Sequence, residues 1–408
     1  MSLRLFTDIS FYLYCFSVGI ESIDVLSSGG TFSISRLVGL IFVFICLINF
    51  LASNLIYFSK STISATSIIL IIFFIVILNT MINFGGFSKT FVDTTMILNI
   101  VFFLLLLNHS QQNEQTMLRG FKFFAFGALV TCSSMILGIG TSLSSDGRIT
   151  MGTYNHNDLA TIFVAGEAYF LSKIGDNFKV KTSLILIRYI IYILVFTYGI
   201  ILTGSRGALV AIAMTFAIFT LGQNSKSYVG LFAKLAFTSI IVVLFINVII
   251  ANEAIMFRVQ SIGDNNLADP DSLGGRVLIW TNAYEILKDN WFLGIGKSGY
   301  EAEQLLRLGN QIAYSPHNAY IEIFIYAGIT GFVLFLAFCL KVLRASIKIK
   351  KIEGDILPVL LLPILFSVSF LGQIFSVKYF WLILAYILTR DIFLKRKLNK
   401  LFNGYPQS

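Results

Sequence analysis

The chain is poor in most of what keeps a protein in water. Of its 408 residues only 12% are charged, against 56% hydrophobic, and there are just 5 Pro, 4 Cys and 3 His. An average soluble chain is about a quarter charged. So little charge excludes a disordered chain, and so little proline excludes a collagen-like one. Cys15, Cys46, Cys132 and Cys339 lie far apart in apolar stretches without CxxC spacing. They read as small buried hydrophobes, not as a disulfide scaffold or a thiolate metal site. What is abundant is apolar bulk, with 40 Phe and 17 Tyr and a mean hydropathy of +0.82. No water-soluble core hides that much surface. The composition predicts an all-α polytopic membrane protein, with 1–408 forming a single integral membrane domain.

A helix needs about 20 mostly apolar residues to cross a bilayer. Runs of that kind fall at 9–26, 36–53, 63–82, 91–108, 121–140, 156–172, 184–202, 207–222, 229–250, 318–342, 356–374 and 377–393, about 12 transmembrane helices. Glu21 and Asp24 load the far end of the first, and Asp158 and Glu167 interrupt the sixth. No small-residue cleavage site follows the first run, so it reads as an uncleaved span. The net charge of +9 does not indicate a nucleic-acid partner, because Lys and Arg cluster between apolar runs. With both termini cytoplasmic, 20 of the 30 basic residues fall in inner segments. Only Arg36, Lys89, Arg148, Arg206 and Lys378 fall in short outer loops. That asymmetry is the positive-inside pattern and sets the expected orientation.

The remaining five basic residues lie in one long outer loop, 251–317, together with eight acidic ones. Inside it Val277, Trp280, Tyr284, Leu287 and Trp291 recur at three- and four-residue steps, with Arg276, Glu285, Lys288 and Asp289 opposite. The spacing predicts an amphipathic helix bounded by Gly274-Gly275 and Gly294, lying along the membrane–water boundary.

Four polar groups face the outer side on this topology. Thr203-Gly204-Ser205-Arg206-Gly207 forms the tight turn between spans seven and eight. It is either a Gly-rich connection with a snorkelling Arg or an anion site, since guanidinium is a planar multi-donor cation. Gly274-Gly275-Arg276 opens the amphipathic helix, where backbone N–H groups also favour anions. Its plainer reading is an exposed first-turn Arg. Ser315-Pro316-His317-Asn318 leads into span ten, and Pro316 restricts its neighbourhood so that His317 is held. An imidazole there can take a proton from a hydroxyl near pH 7, although a loop His is more often merely solvated. Tyr154-Asn155-His156-Asn157-Asp158 opens span six and could bind sugar hydroxyls or cap a helix. Gly294, Gly296 and Gly299 spell GxGxxG, but after a helix and outside the cytoplasm, so no dinucleotide site is expected. No His, Asp or Glu grouping has metal-ligand spacing.

The ordered set TGSRGALVA, GGRVLIWTNAYEIL…NWFLGIGKSGY and PHNAYIEIFIYAGITG resembles the O-antigen polymerase and O-antigen ligase superfamily, of Wzy and WaaL type, with 150–335 as the family-like catalytic region. The resemblance implies a metal-independent glycosyltransferase of GT-C-like fold without a cofactor. It would work at the periplasmic face of a bacterial inner membrane on an undecaprenyl-pyrophosphate-linked glycan donor. By motif, Arg206 and Arg276 bind the donor pyrophosphate and His317 activates the acceptor. Asn155, His156, Asn157 and Asn318 are candidates for sugar or acceptor binding. The acceptor is a lipid-linked repeat unit for an O-antigen or exopolysaccharide polymerase, or lipid A–core for a ligase. A chain-length regulator is a candidate partner, beside membrane lipids. A third reading, a lipid-linked oligosaccharide flippase, suits twelve spans but not polar groups gathered at one face, because transporters place theirs near the midplane.

Overall fold

A computed structural model describes residues 3–23, 33–53, 60–84, 91–143, 148–152, 154, 156–177, 183–222, 238–239, 243, 273–308, 315–368 and 374–403. The described residues form helices α1 (Leu3–Gly19), α2 (Ile34–Ser53), α3 (Lys60–Phe84), α4 (Phe91–Ser110), α5 (Glu114–Ile136), α6 (His156–Asn177), α7 (Ser183–Thr203) and α8 (Arg206–Gly222). They continue with α9 (Leu273–Asn290), α10 (Gly296–Leu308), α11 (Ala319–Glu353), α12 (Leu357–Leu360), α13 (Leu362–Val368) and α14 (Lys378–Asn403). A small antiparallel hairpin, β1 (Thr141–Leu143) with β2 (Ile149–Met151), joins α5 to α6.

The bundle is inside-out by soluble standards. Residues 159–172 of α6 and 378–392 of α14 are buried throughout, while the most apolar helices lie outside and expose Phe44, Leu51, Phe74 and Leu184. Such a surface suits lipid, not water. Among the described residues four stretches are long and apolar enough to cross a membrane: Ile34–Ala52, Thr62–Ile82, Leu184–Thr203 and Ala319–Glu353. Met96–Ser110, Arg206–Gly222 and Leu357–Ser367 are shorter apolar helices. The central position of α6 explains its weak hydropathy, because its polar side chains meet protein. Glu167, fully buried, accepts a hydrogen bond from Thr197 on α7 at 2.8 Å.

Predicted and observed helices agree in place for all runs except 229–250, which lies almost wholly outside the described residues. Three differ in form. The first ends at Gly19, not 26, because the chain turns there and buries Glu21 against Lys378. The run 356–374 breaks into α12 and α13, since Pro363 cannot donate the N–H that a continuous helix needs. The third difference concerns α11. At Gly328 the backbone takes φ 62, ψ −166, dividing a short arm, 319–327, from a long one. Tyr320 and Phe335 would stand about 22 Å apart along a straight helix, yet their rings lie 5.5 Å apart. Only glycine fits this bend: a Cβ would sit 2.2 Å from the Phe292 carbonyl oxygen. Backbone groups released by the bend find partners, Ile329 N donating to Trp291 O and Ile295 N to Ile325 O, both at 2.8 Å. Asn79 of α3 donates to Tyr326 O at 3.1 Å.

Side-chain contacts sort the helix ends into two sets. At one end Arg390 joins Glu114, Glu353 and Asp355, Lys397 meets Glu353 at 2.8 Å, and Arg396 holds Gln111. At the other end Lys378 pairs with Glu21, and Tyr154 donates to the same carboxylate at 2.6 Å. Lys378 also donates to Ser35 at 2.6 Å. All the residues of the first set belong to segments expected inside, and all those of the second to segments expected outside.

Candidate active site

The polar end of the bundle that carries Lys378 also carries the motifs. In the turn between α7 and α8, Gly204 takes φ 62. Ser205 then caps α8, its Oγ accepting from Ala208 N at 3.4 Å while its own N–H reaches Thr203 Oγ1 at 3.3 Å. The Ser205 hydroxyl proton goes to Asn157 Oδ1 at 2.7 Å. One residue on, Asp158 accepts from Tyr379 at 3.1 Å. The turn is thereby tied to α6, and α6 to α14. Arg206, the first residue of α8, remains exposed at a helix N-terminus. A guanidinium beside that positive dipole end favours an anion.

Arg276 lies half-buried in the first turn of α9. This helix differs from the expected amphipathic one. Its buried seam is Ile279, Ala283 and Ile286, on a helix packed against α10 and α11, whereas Val277, Tyr284 and Trp291 are exposed. The helix has two apolar faces, one for protein and one free to meet lipid. Trp280 explains the choice of seam: its indole N–H donates to Pro316 O at 2.7 Å. That bond fastens the helix of Arg276 to the loop of His317, one turn away.

The loop itself is held tightly. His317 has φ 50, the only positive value for a non-glycine among the described residues. Its N–H donates to Ser315 Oγ at 3.2 Å, and Ser315 donates in turn to Glu322 Oε1 at 2.5 Å. Asn318 caps α11, accepting from Tyr320 N at 3.0 Å and Ile321 N at 3.3 Å. Behind it stands α10, which periodicity does not pick out. There Gln304 donates to Tyr300 at 2.8 Å, and burial, then the charge of Glu322, pushes the Tyr300 phenol up.

The structure ties the helix of Arg276 to the loop of His317 through Trp280, and the turn that carries Arg206 to Asn157 through Ser205. His156 is buried and receives Arg148 at Nε2. The Oδ1 atoms of Asn157 and Asn318 serve Ser205 and the α11 cap respectively. Asn155 lies outside the described residues. Ser315, Trp280 and Glu322 carry signals too weak to find in sequence: a serine before a proline, an aromatic on a stripe, one acid in an apolar run. An apolar cleft of about 650 Å³ lies deeper in the bundle, among α8, α11, α13 and α14. It is lined by Met214 and Ile218 of α8, by Tyr320 and Phe335 of the two α11 arms, and by Phe380 and Leu384 of α14.

Taken together, these features define a multi-pass membrane protein, an apolar bundle with polar clusters at both ends and the motif residues at one of them. Residues 191–336 match the Wzy_C family model, described as O-antigen ligase. That segment is a Wzy_C domain, the domain of membrane enzymes of the ligase and polymerase type that transfer glycans for surface polysaccharides. It contains Arg206, Arg276, His317 and Glu322, and excludes the Asn155–Asp158 group. Among curated proteins none matches the chain.

Proposed function

We propose that the protein is an O-antigen or exopolysaccharide polymerase. It transfers a glycan from undecaprenyl pyrophosphate onto a lipid-linked repeat unit, at the periplasmic face of a bacterial inner membrane and on a GT-C-like scaffold, with both termini cytoplasmic. The observation that carries this reading is the bond from Trp280 to Pro316, which couples the helix of one anion-binding arginine to the strained loop of a histidine. The apolar cleft beside Tyr320 supports a lipid-linked donor.

In the reaction the acceptor hydroxyl attacks the anomeric carbon as the sugar–pyrophosphate bond breaks. His317 takes the hydroxyl proton, and the bonding electrons leave on the pyrophosphate. Arg206 and Arg276 stabilise that growing charge, so the leaving group needs no acid. Preorganised contacts of this kind are worth about 10²–10³ each in rate, and a positioned base about 10²–10⁴. Attack opposite the leaving group inverts the anomeric configuration.

Arg206→Ala, Arg276→Ala and His317→Ala should each abolish glycan transfer with membrane insertion intact. Activity retained by the histidine variant would remove the base from the mechanism. The description of the matched family favours a second reading, a ligase delivering finished glycan to lipid A–core. A surface-glycan gel of a deletion strain separates the two. Loss of a polymerase leaves one repeat on the acceptor, and loss of a ligase leaves polymer on the carrier lipid.

A further inference from the structure

The left-handed backbone of His317 needs a cause. A β-carbon disfavours that region, and a non-glycine residue stays there only when its surroundings over-determine it. Trp280 fixes the carbonyl before His317 and Asn318 fixes the helix after it. Ser315 alone among these acts on the backbone of His317 itself, through the 3.2 Å bond to its N–H.

A serine hydroxyl has one proton and two lone pairs, and can turn about its Cβ–Oγ bond. Something has to fix which way it points. The Glu322 carboxylate does so by accepting that proton at 2.5 Å, so a lone pair of Ser315 is left aimed at the His317 amide. Charge-assisted hydrogen bonds to a carboxylate are short and strong. Glu322 is 1% exposed, and its own N–H is bonded to Asn318 O at 2.9 Å, so the carboxylate is carried on the rigid first turns of α11. A buried carboxylate is costly and needs partners. Here one partner is the hydroxyl that controls the histidine.

We propose that Glu322 is a positioning residue for His317, acting through Ser315 to hold the histidine backbone in its left-handed conformation and so aim the imidazole. This rests on His317 being the base, as read above. It assigns Glu322 no contact with substrate. Removing the relay lets His317 relax toward ordinary backbone angles and swings its ring away from the acceptor hydroxyl. Donor binding, set by the arginines, stays as it was.

The test uses the full-length protein in liposomes with a lipid-linked donor. Ser315→Ala and Glu322→Leu should each lower kcat by about 10–100-fold, the scale of a small misplacement of a catalytic group, with the donor KM little changed. The double variant should be no worse than the poorer single, because one relay is lost in either case. Ser315→Thr, which keeps the hydroxyl, and Glu322→Gln, which keeps an acceptor oxygen, should recover most of the rate. If Glu322→Leu fails to accumulate, Ser315→Ala and its threonine counterpart decide the matter alone. Wild-type kcat in Ser315→Ala, a raised KM at unchanged kcat, or losses that multiply in the double variant would overturn the relay. Full activity in His317→Ala instead removes the base, a separate failure.

Discussion

Replacing Trp280 with Phe probes how far the two halves of the site depend on one another. Trp280 stands four residues after Arg276 on α9, and its indole N–H meets Pro316 O at 2.7 Å. Phenylalanine keeps an aromatic ring beside the seam and removes only the donor. Pro316 is buried, so water does not freely replace the lost partner. A buried acceptor deprived of its donor costs about 1–3 kcal/mol. If the bond serves to align the histidine loop with Arg276, that cost falls on the transition state, and about 1.4 kcal/mol corresponds to a tenfold change. The expected loss in kcat is therefore roughly 5- to 150-fold. Single-turnover transfer from a lipid-linked donor in liposomes measures it, with a thermal melt run beside it. Wild-type kcat in Trp280→Phe would refute the coupling. Should Trp280→Ala then fail while the Phe variant works, ring packing holds the loop and the hydrogen bond does not.

Two further expectations concern the polar end of the bundle. Lys378→Met leaves the buried carboxylate of Glu21 without its counter-charge, and breaking such a pair costs about 3–5 kcal/mol. Adding Glu21→Gln should restore most of the melting temperature in detergent, and a double variant no better than the single would show that the ion pair is not the source. Burial, then the charge of Glu21, holds the Tyr154 phenol well above its ordinary 10. The folded chain keeps that proton where the unfolded chain sheds it, so this contribution is intact below pH 10 and is lost as pH rises beyond it. Tyr154→Phe should melt with a shallower alkaline decline than the parent, and equal slopes would exclude the phenol as the cause.

Much of the architecture is legible in the sequence because hydropathy reports directly on lipid contact. It is least informative where helices do not touch lipid. The run containing Asp158 and Glu167 looks weak only because α6 sits at the centre, where Tyr379 and Thr197 answer those acids. Hydropathy also says nothing about direction within an apolar run, so the bend at Gly328 is invisible until the Phe292 carbonyl is seen lying against it. The glycines 294 and 296, rejected as a dinucleotide motif, turn out to mark close backbone approaches to α11 and to Thr80 of α3. Among the site residues, motifs point to Arg206, Arg276 and His317 as chemistry-bearing types. Ser315, Trp280 and Glu322 act through orientation, which depends on partners distant in space or hidden by burial. For the same reason Asn157 and Asn318 read in sequence as candidate sugar or acceptor ligands, although their carbonyl oxygens support a turn and a helix cap.

The bend at Gly328 also works as a depth gauge. The long arm of α11 runs from Ile329 to Glu353, about 25 residues and roughly 37 Å at 1.5 Å per residue. A bilayer's hydrocarbon core is about 30 Å thick. With Lys348, Lys350 and Lys351 near its foot, the arm is long enough to cross the core. The short arm folds back from the bend beside the long one, Tyr320 meeting Phe335 about 10 Å along the arm, and returns the loop of His317 to that level. The position of the His317 loop along the bundle is thus tied to one helix, and inserting or deleting a turn between Phe335 and Lys348 should shift that loop relative to Arg206 of α8 without touching any residue in it.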